Sequence, residues 1–213
     1  MVQYLNQCQT DKGKLAQQLK QLRTQLASQE SNTTIAINEI AWMGTTTHYN
    51  DEWIELYNYG NSPINLEGWK LIVYKNEGGW KKWETPLSGQ IKGGQFLILR
   101  KVDNQKRVSL KRWNGKTFFN GELRNEGIQQ KKVSLQLMYK EQVIDQVDRW
   151  YAGSTNKNEK PRHYSTMARK KPTVAGNNPS NWCTASGSHY NWQDENKPYD
   201  TGTPGTQNTC AEE

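Results

Sequence analysis

The chain has 213 residues, 28 Lys and Arg against 21 Asp and Glu, a formal net charge of +7 and 33% hydrophobic residues. That length suits one domain of ordinary size or one domain plus an appendage, and apolar runs such as Phe96-Leu97-Ile98-Leu99 are far too short to cross a bilayer. Aliphatic residues are sparse, but 9 Trp, 10 Tyr and 3 Phe bury more area per residue, so a core is expected and disorder throughout is excluded.

The first ten residues, MVQYLNQCQT, have neither a basic start nor an apolar stretch, so no signal peptide is expected there. Residues 1–31 form a helical lead. Leu5, Cys8, Lys12, Leu15, Leu19, Leu22, Leu26 and Gln29 recur at alternating spacings of three and four, the heptad of a coiled coil. The apolar stripe is narrow, as in a seam between helices, rather than the wider face of a core helix. Gly13 and Lys12 weaken the early part, so the firm segment is Leu15 to Leu26. Leu15, Leu19, Leu22 and Leu26 are the expected oligomerisation residues of a short coiled-coil stub. The alternative is a solvated helix packed on its own body. Leu at both a and d positions leaves dimer and trimer equally open.

From residue 33 the period changes to two. Ile35 and Ile37 alternate with Ala36 and Asn38, Trp69, Leu71 and Val73 with Lys70, Ile72 and Tyr74, and Val133, Leu135, Leu137 and Tyr139 with Ser134, Gln136 and Met138. Each pattern suits a strand with one buried face. Gly60-Asn61-Ser62-Pro63, Lys92-Gly93-Gly94, Asn114-Gly115 and Asn120-Gly121 supply turns between the runs. About eight short strands between Ile35 and Val147, with no helical period among them, predict an all-β sandwich spanning residues 33–208.

Residues 66–116 hold twelve Lys or Arg against four acids. Within them, Trp80, Lys81, Lys82 and Trp83, and then Arg112, Trp113 and Lys116, stand beside glycine turns. Aromatic rings flanked by cations suit stacking on a base or sugar while the cations meet phosphate or carboxylate, so nucleic acid or an acidic polysaccharide is one candidate partner. The alternative places Trp83 and Trp113 in the core with the lysines as rim. Arg169-Lys170-Lys171 is a second basic spot.

Residues 153–208 change composition again. Five of the 7 prolines fall in the last third, among Asn, Ser, Thr and Gly, which predicts an irregular extension laid over the sandwich and pinned by Trp182, Tyr190 and Trp192, with 209–213 as the chain end. Cys183 and Cys210 stand 27 positions apart within it. A disulfide there would stabilise by roughly 3 kcal/mol and imply an oxidising, extracytoplasmic compartment. Free thiols would instead suit the cytoplasm. Cys8 is left over.

The histidines His48, His163 and His189 are scattered, and no HExxH, GxSxG or phosphate-cradling loop occurs. Glu39, Asp51, Glu52 and Glu55 form the one acidic cluster. No DxDxDG-like loop accompanies it, so a structural role is expected for it rather than Ca²⁺ binding. No catalytic residue, metal or cofactor is expected.

The segments Ile37-Asn38-Glu39-Ile40-Ala41-Trp42-Met43-Gly44-Thr45, Asp51-Glu52-Trp53-Ile54-Glu55-Leu56-Tyr57-Asn58 and Ile64-Asn65-Leu66-Glu67-Gly68-Trp69-Lys70-Leu71 resemble the lamin tail domain in its bacterial form. The resemblance continues through Leu87-Ser88-Gly89-Gln90-Ile91-Lys92-Gly93-Gly94-Gln95-Phe96-Leu97-Ile98-Leu99, Val143-Ile144-Asp145, Trp150-Tyr151-Ala152-Gly153, Tyr164-Ser165-Thr166-Met167-Ala168-Arg169, Asn181-Trp182 and Gly202-Thr203-Pro204-Gly205-Thr206-Gln207-Asn208, about residues 35–208. It implies an immunoglobulin-like β-sandwich serving as a structural, protein-binding module and not an enzyme, and in bacteria an exported or surface protein. In that resemblance Glu39, Glu52 and Glu55 belong to strand motifs.

Overall fold

Alternate side chains leave a strand on opposite faces, so the period-two runs become strands with one face to the core. The computed structural model describes residues 11–23, 34–46, 50–76, 80–101, 118–121, 123, 133–156, 163–187 and 200–210. The strands are β1 (Ile35–Ala41), β2 (Trp53–Asn58), β3 (Ile64–Asn65), β4 (Trp69–Asn76), β5 (Trp80–Pro86), β6 (Gln90–Ile91), β7 (Phe96–Lys101), β8 (Phe118–Phe119), β9 (Val133–Tyr139) and β10 (Gln142–Val147). The last third adds β11 (Ser154–Asn156), β12 (His163–Ser165), β13 (Met167–Arg169), β14 (Trp182–Thr184) and β15 (Asp200–Thr201). Ten described strands therefore lie between Ile35 and Val147. Three of them, β3, β6 and β8, are two residues long, too short to leave a period in the sequence.

A six-stranded sheet in the order β14-β13-β1-β2-β7-β8 packs on a four-stranded sheet in the order β10-β9-β4-β5. Ile35, Ile37, Ile40, Ile54, Leu56 and Leu99 from the first meet Trp69, Leu71, Val73, Leu135, Leu137 and Val147 from the second, all buried in one cluster. The fold is an all-β immunoglobulin-like sandwich preceded by a helix over residues 11–23.

Composition understates the order in the C-terminal extension. β13 and β14 extend the large sheet, pairing Glu39 with Ala168 and Ala168 with Cys183. β11, β12 and β15 make a separate small sheet in which β12 and β15 run parallel. These strands are only two or three residues long and are held by partners far away in sequence, which composition cannot show. Trp182 does reach the core, 4% exposed, with its indole N–H donating to the Gly176 carbonyl at 2.7 Å. Tyr190 and Trp192 lie outside the described residues. Cys183 and Cys210 are joined, their Cα atoms 5.6 Å apart.

One buried ion pair ties the two sheets together. A bulge between Val143 and Asp145 turns the Asp145 carboxylate toward β1, where it accepts the Ile37 N–H at 2.8 Å. Arg169, at the end of β13, meets both Asp145 oxygens, donates to the Ile37 carbonyl at 2.8 Å and lies 5.7 Å from the Trp182 ring. Arg169 is only 3% exposed. It is therefore an internal tie and not part of a basic surface spot with Lys170 and Lys171.

Candidate functional site

The exposed helix is the first candidate. A helical period places Leu15, Leu19 and Leu22 on one stripe. They are 58%, 49% and 60% exposed, and with Val143 they are the large exposed hydrophobics among the described residues. Leu26 lies outside the described residues.

The Trp/Lys hairpin is the second. β4 and β5 pair with Val73 opposite Trp83, Tyr74 opposite Lys82 and Lys75 opposite Lys81. Directly opposed residues share a face, so Trp83 lies on the side of Val73 and packs against the core. Trp83 is half-buried there, one side of its ring on the core. Lys82 is on the outer face and bonds Glu84, which Lys70 also approaches at 3.8 Å. Their hydrogen bond draws the Lys82 ammonium up and the Glu84 carboxyl down from their ordinary values. Lys75 and Lys101 are buried, at 1% and 9% exposure. Of the described cations in the basic stretch, Lys75 and Lys101 are thus internal and Lys70 and Lys82 meet Glu84. β5 begins at Trp80, so its backbone and that of Lys81 belong to a strand rather than a loop. The side chains of Trp80 and Lys81, and the whole of Arg112, Trp113 and Lys116, lie outside what the structure describes.

The acidic cluster is the third, and it divides. Simple alternation from Ile35 and Ile37 would send Glu39 into the core. A bulge between Ile37 and Glu39 flips it to the opposite face, puts Ile40 inward and sets Glu39 directly across from Glu55. Both carboxylates are fully buried on the outer face of the large sheet, beneath the segment Thr203–Asn208. Glu39 accepts from the Thr166 hydroxyl, the Thr203 N–H at 2.9 Å and the Thr203 hydroxyl at 3.0 Å. Glu55 accepts from the Asn38 side chain at 2.8 Å and the Gly205 N–H. Asn208 then donates to the carbonyls of Asn38 and Arg169, both at 2.9 Å. A C-terminal strap therefore lies across β1 and β2, held along its length by two carboxylates and one amide.

Burial pushes the Glu39 carboxyl up to about 7, the hydrogen bonds from Thr166 and Thr203 partly opposing it. Glu55 is raised well above the ordinary range, first by burial and then by the charge of Glu39. Raised carboxyls are a signature of acid–base catalysis when they face a cleft. Here both side chains are sealed from solvent and committed to strap donors, which makes them a latch. Glu52 and Asp51 serve elsewhere. Glu52 pairs with Lys101 at 3.2 Å and accepts the Leu123 N–H at 3.3 Å, while Asp51 accepts from Thr45 at 3.1 Å. All four carboxylates of the acidic cluster thus accept hydrogen bonds from within the fold. The strap residues Thr203, Gly205 and Asn208 were visible in sequence only as part of a closing motif, without a role.

A family model described as the Lamin Tail Domain matches residues 28–150, more than half of the chain and all ten strands from β1 to β10. No curated protein matches the chain. Those ten strands supply the sandwich core, so the chain belongs to the lamin tail domain family of immunoglobulin-like interaction modules.

Proposed function

We propose that this protein is a non-catalytic scaffold of the bacterial lamin-tail type, working outside the cytoplasm, that associates with further copies of itself through the N-terminal helix and offers the sandwich to a protein partner. The observation that carries this reading is the exposure of Leu15, Leu19 and Leu22 on one heptad stripe. Leaving three leucines about half in water forgoes apolar burial that a second helix would recover, at roughly 25 cal/mol per Å² covered. The Cys183–Cys210 bond supports an oxidising compartment.

Sedimentation equilibrium of the full chain beside a chain starting at Asn32 tests the association. The full chain is expected as a dimer or larger and the shortened one as a monomer. Two monomers overturn the proposal. Residues 11–23 carry Lys12, Lys14, Lys20 and Arg23 against Asp11, so added salt should strengthen association by screening repulsion. Binding to nucleic acid or an acidic polysaccharide would weaken with salt instead, because neutralised phosphates release counterions.

A further inference from the structure

At the open end of the β2–β7 ladder three groups of complementary chemistry meet. Lys101 ends β7 and its N–H donates to the Glu52 carbonyl at 3.2 Å, just beyond the last ladder pair, Trp53 with Arg100. Its ammonium lies 3.2 Å from the Glu52 carboxylate and donates to the Asn50 side-chain oxygen at 3.3 Å. The Glu52 side chain is fully buried and that of Lys101 is 11% exposed. A buried amine and carboxylate with a half-buried carboxamide beside them form a set that can react.

We propose that Lys101 and Asn50 form an intramolecular amide crosslink, with Glu52 carrying the protons. Glu52 takes a proton from the Lys101 Nζ, and the freed electron pair attacks the Asn50 side-chain carbonyl carbon. That carbon is one C=O bond, about 1.2 Å, from the oxygen Nζ already contacts, and rotation about the Asn50 Cβ–Cγ bond turns its face toward the amine. The tetrahedral intermediate collapses with cleavage of the bond to the side-chain nitrogen, which receives a proton from Glu52 and leaves as ammonia. An ammonium and a carboxamide become a secondary amide and an ammonium ion. Charge and atoms balance with no oxidant and no other co-reactant.

Two physical terms favour the step. Groups fixed in one fold react as though at effective concentrations of about 10⁵ M or more when well aligned, far above anything reached in solution. Burial of Glu52 keeps water from competing for the intermediate. The product joins positions 51 apart in sequence, enclosing β2 to β6 and most of β7. It would hold together two neighbouring strands of the large sheet where their hydrogen-bond ladder ends. This site is independent of the way the helix associates.

The test is the intact mass of the full chain after disulfide reduction, followed by peptide mapping. The expected mass is about 17 Da below that of the sequence, the loss of one ammonia. Mapping is expected to recover the Asn50 and Lys101 peptides as one branched species. An unchanged mass overturns the proposal. So does the same loss with the two peptides separate, which is a succinimide formed at Asn50-Asp51. Lys101→Arg and Glu52→Gln are each expected to restore the full mass. Persistence of the loss in Glu52→Gln overturns the role given to that carboxylate.

Discussion

Glu39 and Glu55 should make this protein lose stability as the pH rises through neutrality, the reverse of what surface carboxylates do. Both carboxyls are raised in the folded state, so the fold holds protons that the unfolded chain releases. Stability from such groups is complete below the unfolded value and falls as pH climbs through the folded one. For Glu39 the window runs from 4.5 to about 7, which at 1.36 kcal/mol per unit is about 3 kcal/mol. Glu55 extends the loss to higher pH. The assay is the guanidinium chloride midpoint measured from pH 5.5 to 8, for the native chain and for Glu55→Gln. Gln at that position turns an N–H toward one of two donors, Asn38 or Gly205, and so lowers stability by about 1–3 kcal/mol at every pH. The diagnostic is the slope. Gln carries no titrating carboxyl, so the proton that Glu55 retains in the folded state leaves the balance, and the fall between pH 5.5 and 8 should shrink. Equal slopes in the two proteins, or a native midpoint that rises over this range, would refute the idea that these carboxyls share the burden of a buried charge.

Arg169→Met leaves Asp145 buried without its partner and should destabilise by about 3–5 kcal/mol in thermal or chemical melts. Gly176→Ala should cost about 1–3 kcal/mol, because its Cβ would stand 2.6 Å from the Gln146 carbonyl and 2.8 Å from the Asp145 carboxylate, next to that same ion pair. Replacing both Cys183 and Cys210 with Ser should lower stability by roughly 3 kcal/mol, for a separation of 27. In the same variant, amide exchange should quicken at Thr203 and Gly205, where the strap meets the two carboxylates. Leu19→Asp should leave the melting of the sandwich unchanged, since that side chain is 49% exposed, and should abolish any self-association seen by sedimentation.

Local pattern alone was enough for long strands such as β4 and β9. Val133 to Tyr139 and Trp69 to Tyr74 read as strands because inward and outward positions alternate within a few residues, and the structure pairs them from Trp69 with Tyr139 to Tyr74 with Ser134. The heptad likewise made the helix over 11–23 legible. The hairpin residues were less so. Trp83 carries the same chemistry whether it faces solvent or core, and only its register opposite Val73 decides for the core. Lys82 looked like a free cation until the fold put Glu84 beside it.

A β-sandwich with a helical lead, and the interaction-module family behind its motifs, can be read from the residues alone, because strand period, heptad and turn residues act over short distances. The roles of the buried charged residues become visible only when the strands are packed together. Glu39 changes face through a single bulge and meets Thr203 at 164 positions' separation, and Arg169 finds Asp145 and Ile37 on two different strands. A buried charge is stable only where donors or opposite charges surround it. Those partners stand 24 to 164 positions away, so no short window of sequence contains them.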